Sequence, residues 1–290
     1  MKKFPVERSP VAGVMSLFAP DELVWSAVAR ASEQVDYLIV VDDSDVPQPP
    51  SGELPDNCVL LVNGSNRGLG YSLNQGCTVA VILGCTVIVT LDQDANLPDG
   101  YVAKASELLM TGASVEPRIA GVAPRTVNGF EHRQIHRFGD FDCSLGVVQS
   151  GLVLCAQAFT TVGGFSESLF IDGLEVDFVM RLHRMGYHVA LDSRLDLDHS
   201  IGAPVSGTVL GRRFRSTNHN PDRVYYIARN SVYLATRNVW REHRWSISVA
   251  SSLAKRALKI VLSEDRKWLK IRRMIRGISD GLLGRLAAIR

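Results

Sequence analysis

Short runs of continuous apolar residues at 11–16, 37–41, 58–62 and 85–91 alternate in the first hundred positions with stretches at 20–32 and 71–83 whose apolar residues recur at helical spacing. The runs read as strands buried on both faces, and the intervening stretches as helices covering a parallel sheet. Asp21 and Glu22 suit the start of the first helix. The loop between 46 and 57 is too rich in Pro and Gly to be regular. Beyond residue 118 the pattern predicts strands at 119–123 and around 152–155, a turn at 160–165, and a helix over 174–185 that Gly186 ends. From about Trp245 onward apolar residues again recur at helical spacing, now among Lys and Arg. No internal repeat is present.

Composition adds little until it is divided along the chain. With 290 residues, 46% hydrophobic and 21% charged, the sequence belongs with ordinary globular proteins, not disordered or fibrous ones. The net charge of +2 conceals a split: residues 1–207 carry 13 basic and 25 acidic side chains, residues 208–290 the other 19 basic and 5 acidic. Five cysteines (Cys58, Cys77, Cys85, Cys143, Cys155) lack metal-ligand spacing and sit mostly in apolar runs, which predicts reduced core residues. MKKFPVERSP lacks the apolar stretch a secretory signal requires, and the uncharged run at 78–91 is too short to cross a bilayer. A cytoplasmic chain is the expectation.

The candidate chemistry stands where strands end. Asp92-Gln93-Asp94 closes one buried run with two carboxylates, a pair that can hold a hard divalent ion on a diphosphate or simply cap a loop. Asp42-Asp43-Ser44-Asp45 closes another, and suits either a nucleoside contact or an Asx-turn. Asn66-Arg67-Gly68-Leu69-Gly70 combines a cation with glycines that let backbone approach a ligand. It matches neither the P-loop nor the dinucleotide-binding glycine pattern. Arg212-Arg213-Phe214-Arg215 is expected on a loop, as a grip for phosphate or as a solvated or lipid-facing basic patch.

Taken in order, these segments resemble the inverting glycosyltransferases of family 2, with the GT-A fold, and within them the rhamnosyltransferase-like branch. Val40-Val41-Asp42-Asp43-Ser44 resembles V-V-D-N-S, and Asn66 to Gly70 with Leu73-Asn74-Gln75-Gly76 resembles N-x-G-x-A…L-N-x-G. Leu91-Asp92-Gln93-Asp94 matches the branch's L-D-Q-D. Gly163-Gly164-Phe165-Ser166-Glu167, Leu169-Phe170-Ile171-Asp172, Glu175, Asp177, Arg181, His199 and Tyr225-Tyr226…Arg229-Asn230 continue the series, so the likeness spans about 11–231. Phe18-Ala19-Pro20 stands where the family has Tyr-Asn-Pro, and Leu174 where the Glu of its Glu-Asp pair would be.

The resemblance implies a nucleotide-sugar site built from Asp42, Asp43, Ser44, Asn66, Arg67, Gly68, Asn74, Asp92, Gln93, Arg212, Arg213 and Arg229. It implies Mg²⁺ or Mn²⁺ held by Asp92 and Asp94, with His199 as a further ligand or an ordinary hydrogen-bonding residue. Glu175 is the first choice for the base that deprotonates the acceptor and Asp172 the second, because an alcohol needs a carboxylate to take its proton. Asp177 is expected to pair with Arg181 one turn on. The donor so implied is dTDP-rhamnose, with UDP-galactofuranose, UDP-glucose and UDP-GlcNAc as alternatives, and the acceptor a glycan or glycolipid. A scaffold that keeps the fold without catalysis is the competing reading. A nucleic-acid partner is disfavoured by the acidic body and by the lack of a stacking platform.

The expected organisation is a catalytic domain over 1–240, with a nucleotide-sugar half to about 120 and an acceptor half from 121, followed by a basic helical region over 241–290. That region carries 12 basic and 4 acidic side chains from residue 242 onward, interspersed with Trp245, Trp268 and many aliphatic residues. It suits peripheral contact with the inner face of an anionic membrane, or packing on the body or on a second copy as a homodimer.

Overall fold

The computed structural model describes residues 10–127, 130–132, 136–199, 205–209 and 212–289. They divide into two compact units, one of residues 10–167 with Glu175–His199, the other of Ser168–Leu174 with residues 200–290.

The first unit is a sheet with helices on its faces. Its elements are β1 (Val11–Leu17), α1 (Glu22–Ser32), β2 (Tyr37–Asp42), β3 (Cys58–Val62), α2 (Leu69–Ile82), β4 (Val87–Asp92), β5 (Ala95–Asn96), α3 (Tyr101–Val115), β6 (Ile119–Val127), β7 (Phe130–Glu131), β8 (His136–Phe138), β9 (Phe141–Cys143), β10 (Leu152–Cys155), α4 (Ala156–Val162), α5 (Leu174–Arg184) and β11 (His188–His199). The strand order is β3-β2-β1-β4-β10-β6-β11-β9-β8, with β5 on β11 and β7 on β6. The first four strands are mutually parallel. β10 runs antiparallel to β4 and β6, and β6 is parallel to β11, so β6 and β11 point the same way as β4.

The core explains why these residues take this form. Met15, Leu17, Val40, Val89, Leu91, Leu109, Val122 and Val153 are buried between sheet and helices. Burial of such side chains supplies the main driving force, about 25 cal/mol per Å² of apolar surface. Asp21 caps α1 by accepting from the N–H groups of Leu23 and Val24, as its position predicts. The α/β class, the mostly parallel sheet flanked by helices and the helical C-terminal region are as the sequence predicts. The helix α3 was not predicted; it has no capping side chain at its start and carries Thr111-Gly112 within it. The turn expected at 160–165 begins as the last residues of α4, and the glycines end it.

The second unit comprises a hairpin, β12 (Val205–Val209) and β13 (Arg212–Ser216), and three helices, α6 (Pro221–Asn238), α7 (His243–Ser263) and α8 (Lys267–Leu283). Asn220 caps α6 and Pro221 opens it, a start signal that sequence reading passed over among the arginines. The expected boundary near 240 falls at the end of α6, inside this unit. Val224, Ala228, Val249, Leu253, Ile260 and Met274 form its core. Helix α8 lies tight on α6 because Gly277 and Gly281 have no side chain: a Cβ at either would sit 2.4 Å from the carbonyl oxygen of Tyr225 or Arg229. All five cysteines are free, four of them buried. Among the described residues no helix is long and apolar enough to cross a membrane.

Candidate active site

Parallel strands leave their carboxyl ends on one edge, and here β1 stands between two acids. Its register pairs Leu17 with Asp42 on one side and Ser16 with Asp92 on the other. Two strand spacings, about 9–10 Å, therefore separate the acids along the edge. The chain leaving β1 ties both clusters together. The Phe18 N–H donates to Gln93 Oε1 at 2.7 Å, and the Ala19 N–H to Ser44 Oγ at 2.8 Å. Asp42 Oδ1 accepts the Ser44 N–H at 2.9 Å.

Asp92 is held by a pair that sequence reading missed. Its N–H donates to Ser150 Oγ at 3.2 Å, and the Gln149 amide nitrogen donates to Asp92 Oδ1 at 2.6 Å. Both partners directly precede β10, whose antiparallel pairing with β4 carries them to the same edge. The only signal for them was a polar pair breaking an otherwise apolar stretch. His199, expected to join Asp94 on a metal, ends β11, and β5 pairs with that end so that His199 faces Ala95 in register. The chain at His199 thus runs beside the residue that follows Asp94. The side chains of His199, Arg212 and Arg213 lie outside the described residues. The backbone puts Arg212 and Arg213 in β13, paired with Val209 and Thr208, and not on the expected loop. The β-branched residues of Val205–Val209 favour that pairing.

Asp43 and Asn74, expected at the nucleotide, each hold neighbouring backbone. The Asp43 carboxylate accepts from the N–H groups of Arg67 (2.9 Å) and Gly68 (2.8 Å) and from the Asn63 amide (2.8 Å), which fixes the entry to α2. Burial pushes its pKa up, and those donors partly offset the shift. Asn66 donates its N–H to Asp45 Oδ1 at 3.0 Å, and the Arg67 guanidinium lies 4.1 Å over the Tyr71 ring. The Asn74 amide donates to Phe165 O and Glu167 Oε1 and accepts the Phe165 N–H. Gly70 admits Ser166 and Glu167 so closely that a Cβ would lie 3.1 Å from the Ser166 carbonyl. Asp43 and Asn74 are therefore positioning groups that join the start of α2 to residues 163–167.

That junction leads into α5, whose first turn contains Glu175. A helix N-terminus stabilises a carboxylate there. Asp177 pairs with Arg181 at 2.8 Å, and the same guanidinium donates to the Val162 and Gly164 carbonyls, the structural role expected of that pair.

In the second unit two further expected site residues have structural partners. Arg229 is fully buried, and its guanidinium donates to the carbonyls of Ser168, Leu169, Leu286 and Ala287 and to Asn230 Oδ1. The Asn230 amide donates to the carbonyls of Leu169, Ile171 and Asp172. Arg229, expected at the nucleotide, and Asn230 thus pin residues 168–172. Asp172 has φ of 61°, and the Arg223 guanidinium grips both its oxygens at 3.0–3.3 Å. Both Asp172 oxygens are thus engaged by Arg223.

No family model matches the chain. The sequence is similar to the dTDP-rhamnosyl transferase RfbF of Shigella flexneri, with 24% identity over 231 residues, covering 73% of this chain and 74% of that one. A solved structure, GalNAc-T7 with UDP, GalNAc and Mn²⁺, aligns with 66% of this chain and 43% of its own at a TM-score of 0.48 and 12% identity.

Proposed function

We propose that the protein is an inverting glycosyltransferase that moves L-rhamnose from dTDP-rhamnose to a hydroxyl of a lipid-linked surface glycan. The observation that carries this reading is the edge itself: Asp42 and Asp92 flank β1, and the β5–β11 ladder pairs His199 with Ala95, the residue after Asp94. Similarity to a rhamnosyl transferase over most of both chains supports it.

In this reading Asp42 and Ser44 receive the base and ribose, with Arg67 nearby, and Gln93 orders the loop after β1. Asp92 and Asp94 offer carboxylate oxygens, the donor set that Mg²⁺ or Mn²⁺ prefers, and His199 is a third candidate. A bound divalent ion would neutralise charge on the departing diphosphate. Glu175 takes the proton from the acceptor hydroxyl as its oxygen forms the new bond to C1 and the C1–diphosphate bond breaks on the opposite face. The pair formed by Gln149 and Ser150 holds Asp92 in place for this step. A donor panel that reads nucleoside diphosphate release tests the proposal. Release from dTDP-rhamnose, abolished by EDTA and by Asp94→Asn, is expected. Turnover only with a UDP-sugar would reassign the donor, and an EDTA-insensitive reaction would refute the metal ligands.

The second unit is proposed to contact an anionic membrane, where a lipid-linked acceptor would lie. Trp240 and Trp268 are 95% and 87% exposed, and Leu258, Ile275, Leu282 and Leu283 also face outward among the basic residues. Flotation with anionic vesicles should carry the protein, and Trp240→Ser with Trp268→Ser should release it. A stable dimer that hides both tryptophans would replace the membrane reading.

A further inference from the structure

Away from the strand-end acids, three histidines converge in the first unit. His136 lies on β8, His183 in the last turn of α5, and His188 opens β11. One ring nitrogen from each falls within 4.8 Å of the others. His136 Nε2 and His188 Nδ1 are 2.9 Å apart, and all three ring centroids are separated by 4.8–5.0 Å. We infer that this cluster is a transition-metal site, a three-imidazole seat for Zn²⁺ with a fourth position open to water.

Binding would require the three rings to shift by up to about 1.4 Å, the widest nitrogen spacing of 4.8 Å closing toward that of a zinc site. At the usual Zn–N distance of about 2.0–2.1 Å, tetrahedral ligand atoms lie about 3.4 Å apart, so the closest pair must open by about half an ångström. The surroundings hold the rings in position: Phe138 stacks on His188 at 3.9 Å, and His188 is 7% exposed. Arg118 lies 4.4 Å over the far ring of that stack and is shared with Glu116 at 3.4 Å, so the nearby cation is partly compensated. Three nitrogens without a carboxylate favour zinc and its softer neighbours over Mg²⁺ or Mn²⁺. The strand-end acids have the opposite preference.

The cluster is also remote from the acids. β11 runs the same way as β4, so His188 begins at the sheet edge opposite Asp92. Along α5, His183 lies eight positions beyond Glu175, about 12 Å of helix. A metal here would not meet the sugar; it would clamp the edge strand β8 to the corner between α5 and β11.

Untagged full-length protein, stripped with EDTA and dialysed, is titrated with Zn²⁺ against a chromophoric chelator, and with Co²⁺ while visible absorption is recorded. One equivalent of Zn²⁺, a rise in thermal midpoint and tetrahedral Co²⁺ bands are expected. His136→Gln and His183→Gln should each weaken binding on the order of 100-fold, with far-ultraviolet circular dichroism verifying that they fold. Asp94→Asn should leave zinc binding unchanged. Absence of binding to folded wild type, or affinity that survives both histidine variants, overturns the inference. Loss through Asp94→Asn would place the zinc at the strand ends and overturn it equally.

Discussion

The buried acids of the two units are held in different ways. In the first, acids stand at the ends of apolar strands and their carboxylates accept from neutral groups: Asp42 from the Ser44 N–H, Asp43 from the N–H groups of Arg67 and Gly68, and Asp92 from the Gln149 amide. In the second, charges lie inside: Lys270 and Glu264 are 1% and 2% exposed and 2.9 Å apart. Asn218 and Asp265 take the other Lys270 protons at 2.6 and 2.7 Å, and Ser216 donates to Glu264. A carboxylate supported by neutral dipoles is not matched to a cation by those partners, whereas one locked to a buried ammonium is architecture. Charge content alone therefore does not identify chemistry; the partners of each charge do.

The largest test of that contrast is to remove one charge from each unit. Glu175→Gln, which keeps size and hydrogen-bonding capacity, should lower turnover by about 10²–10⁴-fold, the usual worth of a general base. Its thermal midpoint should stay within the scatter of wild type. Lys270→Met should do the reverse. It strands Glu264 in the interior and should cost about 3–5 kcal/mol in denaturant unfolding, while turnover per folded molecule is retained. Adding Glu264→Gln should recover part of that loss. If Glu175→Gln unfolds the protein, or Lys270→Met is neutral, the contrast fails.

The contrast also tracks what sequence reading could see. A buried parallel strand is an uninterrupted apolar run, so β1 to β4 and the acids at the ends of β2 and β4 stand out locally. Asp43 and Asn74 stand out equally, but their pattern does not say that their partners are backbone groups 24 and 91 residues away. Gln149 and Ser150 were illegible because only the antiparallel insertion of β10 brings them to Asp92. In the second unit, Lys270 looks like any lysine of a basic face, and Gly277 and Gly281 like helix weak points. Their meaning is long-range: one fills a polar interior and the others let α8 approach α6. The histidine cluster is assembled from three elements and has no linear spacing to announce it.

A smaller effect lies in the pH response of the second unit. His219 is buried, and burial with Arg223 holds its pKa down to about 4; Arg256 acts in the same direction, while Asp172 and Glu264 oppose. The unfolded chain takes up a proton near the ordinary value of 6.5 and the folded one does not. Stability is thus complete above about pH 6.5 and falls as the pH drops toward 4, by about 3 kcal/mol in all. Urea unfolding across that window should show the slope, and His219→Gln should flatten it. An unchanged slope would mean that other groups govern acid sensitivity.

The smallest effect concerns the loop that joins the two acid clusters of the first unit. Ala19 has φ of 46°, a left-handed conformation that costs an L-residue roughly 1–2 kcal/mol relative to glycine's freedom, and it stands where the resembling family has Asn, a residue that tolerates that region. The strain persists because the Ala19 N–H is tied to Ser44 and the preceding Phe18 N–H to Gln93. Ala19→Asn should therefore raise stability by about 0.5–1 kcal/mol, with no new tertiary contact, through backbone preference alone. Ala19→Val should lower it by more, since a β-branched residue fits that conformation worst. If the loop serves the strand-end acids, the two variants should also move donor KM in opposite directions, down for Ala19→Asn and up for Ala19→Val, with kcat unchanged. Equal stability of the wild type and both variants would show that the loop is not held in this conformation, and the link between the Asp42 and Asp92 clusters would lose its physical basis.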